Sequence, residues 1–92
     1  MLSPIYSTSF KRDFKRAVKR GKDPEKIKQV VRILCAQTPL PPALHDHPLK
    51  GKYSGYRDCQ IEPDLVLIYR VVHDQLQLIC FRLGTHSDLF GA

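Results

Sequence analysis

The feature that most constrains this chain is a change of hydrophobic period across a cluster of prolines. Up to Leu34 the apolar residues recur at helical spacing; from Lys52 onward they follow the spacing of strands. Between them Pro39, Pro41, Pro42 and Pro48 fix φ and lack amide hydrogens, so residues 38–48 form an ordered loop or an extended crossing rather than a helix. A chain in this order folds as helices packed on a sheet.

The helical part is well punctuated. Ser7, Thr8 and Ser9 supply capping hydroxyls, and Phe10, Phe14, Ala17 and Val18 share one face of a first helix that Gly21 stops. Asp23 takes a cap position, Pro24 the first helical position and Glu25 the first turn of a second helix. Its stripe is Ile27, Val30, Val31 and Leu34. Pro4 to Ser7 reads as a short edge strand, because Pro4 cannot donate to a ladder.

The strands follow. Lys52–Ile61 reads as one strand with Ser54-Gly55 as a bulge, and Glu62-Pro63 as a turn. Leu65–Val72 is apolar on both faces, as a covered central strand is. His73-Asp74-Gln75 makes a tight turn, Leu76–Leu83 returns, and Thr85–Phe90 is a tail. The predicted class is α+β, in the order βααβββ: an N-terminal edge strand and a two-helix hairpin packed on an antiparallel β-sheet. The 92 residues suit one small core, so a single domain spanning 1–92 is expected.

Charge and cysteine usage narrow the function classes. Residues 1–35 carry ten Lys/Arg against three Asp/Glu, while the remainder carries five against six. A basic pole of this kind favours a polyanionic or acidic partner, with two solvated helices as the plain alternative. No apolar run is long enough for a membrane span, and MLSPIYSTSF lacks the order of a secretion signal. Cys35, Cys59 and Cys80 are odd in number and lack metal-ligand spacing, so they read as buried thiols of a cytosolic protein.

Four histidines carry the candidate chemistry. His73 lies in a turn and reads as solvated. His45 and His47 flank Asp46, but no third ligand has the spacing of a metal site, so none is expected. Imidazole titrates near neutrality, so two rings at one site can accept and donate a proton. His47 precedes the sheet and His86 follows its last strand, and a meander can bring such positions together. The plain alternative is a pair of unrelated surface histidines. Asp64, opening the apolar strand, can orient an imidazole or cap the turn at Pro63. Arg82 and Arg70 sit among apolar residues of their strands. Arg57, Lys50 and Lys52 are further cations for a phosphodiester, and Tyr53, Tyr56 and Phe90 can stack on bases.

In combination these pieces are more specific. DHPLKG (Asp46–Gly51), GYRD (Gly55–Asp58), PDLVLIY (Pro63–Tyr69) and RLGTHSDLF (Arg82–Phe90) resemble, in order and spacing, the YafQ-type toxins of bacterial toxin–antitoxin modules, members of the RelE/ParE superfamily. The resemblance covers nearly the whole chain. It implies the small α+β toxin fold and a ribosome-dependent endoribonuclease that cuts messenger RNA without a metal or other cofactor. It also implies a cytoplasmic protein with a cognate antitoxin as partner.

Site roles follow from the same resemblance. His47 would help remove the 2′-hydroxyl proton of the RNA and His86 would protonate the leaving 5′-oxygen. Asp64 would tune that pair and Arg82 would hold the scissile phosphate, with Phe90 as the terminal aromatic. Lys50, Lys52, Arg57 and Gln60 complete the expected RNA-binding set. Gln60 is a departure, since related toxins usually carry a histidine there. Glutamine cannot exchange protons at neutral pH, which throws the base role onto His47. Two other readings compete: a non-enzymatic inhibitor on the same fold, such as the superfamily's gyrase poisons, and a basic RNA- or partner-binding module.

Overall fold

The computed structural model describes residues 1–91; Ala92, the last residue of the expected 1–92 span, lies outside them. The elements are β1 (Ser3–Tyr6), α1 (Thr8–Lys19), α2 (Pro24–Cys35), β2 (His47–Pro48), β3 (Arg57–Glu62), β4 (Leu65–Val72), β5 (Gln77–Gly84) and α3 (His86–Phe90). The sheet order is β1-β5-β4-β3-β2. β2 through β5 pair antiparallel, whereas β1 joins β5 in parallel, which makes the sheet mixed. The helical hairpin between β1 and the later strands permits this, since it carries the chain back across the sheet. No helix among the described residues is long and apolar enough to cross a membrane.

The helices form where their punctuation requires. The Ser7 hydroxyl accepts the Phe10 N–H at 2.9 Å, and the Asp23 carboxylate accepts the Glu25 N–H at 2.9 Å. Gly21, at φ +94°, supplies the left-handed turn between the helices. Both helices cover one face of the sheet, burying Phe10, Ala17, Ile27, Val30 and Val31 against Leu67, Leu78, Cys80 and Leu83. The three cysteines are buried, and burial pushes the Cys59 and Cys80 thiols up to about 12, so both stay protonated.

Three stretches differ from expectation. The strand expected from Lys52 starts only at Arg57, because Gly51–Tyr53 is a 3₁₀ turn and Gly55 adopts φ +91°. That turn is pinned from the far side: the buried Tyr53 donates its hydroxyl hydrogen to the Leu89 carbonyl at 3.0 Å. The tail is helical, because Thr85 and Asp88 form a capping box. The bulges lie elsewhere, one between Gln60 and Glu62 and one in β5, where Ile68 pairs with Arg82 and Tyr69 with Cys80.

The β5 bulge positions the site. Leu78 and Cys80 face the helices, and strict alternation would send Arg82 after them. The extra residue, Phe81, shifts the parity, so Arg82 comes into register with Ile68 on the opposite face and Leu83 enters the helix-side core.

Candidate active site

The face away from α1 and α2 carries a row of side chains in register across four strands: His47 opposite Asp58, Asp58 opposite Ile68, and Ile68 opposite Arg82. A second row, Gln60, Val66 and Gly84, lies beside it. α3 packs over this face through Leu89, which joins Tyr53, Val66 and Ile68 in a small apolar cluster. Ordinary strand alternation therefore puts apolar floor and polar groups on one surface.

His47 Nδ1 lies 2.7 Å from the His45 carbonyl oxygen, with Asp58 Oδ1 3.0 Å away. A carbonyl oxygen can only accept, so Nδ1 holds the proton and Nε2 carries the free lone pair. His45 turns its carbonyl inward because it adopts the left-handed conformation, φ +50°, at the end of the Pro42–Leu44 turn. Asp46 anchors the same loop: Arg57 forks onto its carboxylate with two bonds of 3.3 Å, and the Tyr69 hydroxyl donates to it.

Asp58 is 2% exposed, and its Oδ1 has no properly directed hydrogen bond among the described residues. Burial pushes its carboxyl above the usual carboxylate range; positive charge on His47 and His86 pulls it back, and Asp46 opposes that pull. His86 opens α3, exposed, with its ring 5.7 Å from that of Phe90. Phe90 in turn meets Tyr53 edge-on at 5.6 Å.

The remaining expected residues divide. Arg82 reaches this face but gives Nε to Asp13 at 2.7 Å. Lys50 and Lys52 are exposed near the turn before β3, with Lys52 Nζ 5.2 Å from the centre of the Tyr53 ring, and Gln60 is half-buried in the second row. Arg57 pairs with Asp46 and so holds the loop.

Asp64 sits exposed in the β3–β4 turn, 2.7 Å from Lys22 Nζ, which also binds Glu62. That pairing holds its carboxyl below the usual range. The carboxylate beside His47 is Asp58, the aspartate of GYRD. Asp13 and Asp58 are both absent from the expected set. The available signals were Asp58 within a strand of buried parity and Asp13 on the buried stripe of α1, between Phe10 and Ala17.

Comparison with known proteins gives the family. The family model for YafQ, described as the bacterial toxin of a type II toxin–antitoxin system, matches residues 2–91. The mRNA interferase toxin YafQ of Escherichia coli K12 is 45% identical over 87 residues, spanning 94% of this chain and 92% of that protein. Among solved structures, a metal-bound toxin from Helicobacter pylori superposes with a TM-score of 0.92 at 41% identity, covering 98% of this chain and 100% of the other. The E. coli DinJ–YafQ complex gives 0.88 at 41% identity, covering 99% and 100%. With residues 2–91 matched, this chain belongs to the YafQ family of type II toxins.

Proposed function

We propose that this chain is an endoribonuclease that cuts messenger RNA on the ribosome by general acid–base catalysis. It works in the cytoplasm and is held in check by a cognate antitoxin. What supports the reading most is that His47, set opposite buried Asp58, and α3, which His86 opens, lie on the same face of the sheet.

The RNA's 2′-oxygen attacks the adjacent phosphorus as His47 Nε2 takes its proton. The O2′–P bond forms, the P–O5′ bond breaks, and His86 delivers a proton to the departing 5′-oxygen. Asp58 holds the His47 ring and faces the positive charge it acquires. Arg82 faces the negative charge that gathers on the phosphoryl oxygens, and exposed Lys50 and Lys52 are cations for the flanking RNA backbone. Phe90 offers a flat surface for an unstacked base beside His86. The products are a 2′,3′-cyclic phosphate and a 5′-hydroxyl.

The test is cleavage of a defined message on translating ribosomes, with chemical analysis of both new ends. Cyclic phosphate and 5′-hydroxyl ends are expected, lost in His86→Gln and in His47→Gln. A 5′-phosphate end, or full cutting by either variant, overturns the mechanism.

A further inference from the structure

We propose that Asp13 is a positioning residue for Arg82. The inference rests on the role given to Arg82 above.

β1 ends at Tyr6, paired with Cys80, so the outer edge of β5 beyond that point has no strand beside it. Side chains close it instead. The Ser7 hydroxyl donates to the Phe81 carbonyl at 2.7 Å, and Asp13 Oδ2 accepts the Leu83 N–H at 3.0 Å. Capping an edge needs only a neutral acceptor. Asp13 brings a charge, and it is the sole acidic residue of α1.

That charge is 2% exposed, a burial that costs stability unless the carboxylate is paired and fully hydrogen-bonded. Oδ2 also accepts Arg82 Nε at 2.7 Å. Oδ1 accepts Arg16 Nη2 at 3.1 Å and Arg82 Nη2 at 3.4 Å. A guanidinium gripped along its Nε edge loses rotation about its last bonds. Its remaining N–H groups, those of Nη1 above all, are left for another acceptor.

α1 also reaches α3 directly. Arg16 Nη2, which bonds Asp13, stands 3.9 Å from Asp88 Oδ2, and Asp88 shares the single turn of α3 with His86. Asp88 braces the same helix by accepting Arg20 Nη1 at 3.1 Å.

A double-mutant cycle tests this: wild type, Asp13→Asn, Arg82→Ala and the double variant, each followed by single-turnover cleavage on translating ribosomes and by thermal melting. Asp13→Asn is expected to slow cleavage about tenfold or more in the wild-type background, with the ribosome concentration for half-saturation unchanged. In the Arg82→Ala background it should cost less than about twofold, because its effect passes through the arginine. Equal slowing in both backgrounds overturns the proposal, as does wild-type cutting by Asp13→Asn. Ser7→Ala opens the same edge without touching Arg82 and should leave the rate within about twofold; slowing to match Asp13→Asn also overturns it. If Asp13→Asn does not fold, Asp13→Ser, which keeps an acceptor for Leu83, replaces it under the same criteria. Wild-type cutting by Arg82→Ala defeats the arginine's role and this inference with it, whereas slow Arg82→Ala beside fast Asp13→Asn defeats this inference alone.

Discussion

The two faces of the sheet are built from the same strands on opposite terms. Beneath α1 and α2 the floor is apolar: Leu67, Leu78, Cys80 and Leu83 are fully buried. Beneath α3 the apolar part is reduced to Val66, Ile68, Leu89 and Tyr53, and His47, Asp58, Gln60 and Arg82 share the rest. The first face is shaped by packing, where loss of volume costs stability. The second holds a buried carboxyl with an unsatisfied oxygen, an arrangement that costs stability and positions chemistry. The larger core allows the smaller face to be so polar.

This contrast predicts that substitutions on the two faces separate activity from stability. The largest effect is expected on the polar face: His86→Gln should lower cleavage by about 10²–10⁴-fold with no change in melting temperature, because the side chain is exposed. A parallel drop in melting temperature would merge the two faces. On the packed face Leu67→Ala should cost about 2–5 kcal/mol in urea unfolding while the folded fraction cuts normally. Loss of activity in molecules that remain folded would break the comparison from the other side.

Asp58→Asn sharpens it further. With its carboxyl raised by burial, wild type loses stability as pH climbs from about 3.9, the unfolded value, through the higher folded one. The asparagine variant lacks that loss, so its stability relative to wild type should improve between pH 4 and pH 7 while cleavage falls. Urea midpoints at the two pH values check the sign; a pH-independent difference would show that the carboxyl is not strained. The smallest effect belongs to Asp64→Asn. Its lowered carboxyl contributes stability above the unfolded value that fades as pH falls through the folded one. Cleavage should be unchanged, and a large loss would restore Asp64 to the site.

The switch from helical to strand spacing was legible, as were both helix starts, because caps and periods act locally. The parity of Arg82 was not: the row Leu78, Cys80, Arg82 points all three to one side, and only the extra residue at Phe81 separates them. Asp58 and Asp64 were indistinguishable as chemical types. Telling them apart requires knowing which one the β2–β3 pairing sets opposite His47, a long-range fact. Asp13 hid among lysines and arginines because its partners come from the far end of the chain. That α3, which His86 opens, covers the face where His47 stands opposite Asp58 depends on the capping box and on the packing of Leu89, and sequence spacing alone left two unrelated surface histidines as the plainer reading.

The parallel seam between β1 and β5 fixes a timetable for synthesis. Residues 3–6 and 77–80 must meet before the sheet closes, and Arg82 and His86 leave the ribosome later still. The row from His47 to Arg82 thus cannot close until β5, the strand that the first residues of the chain pair with, is in place.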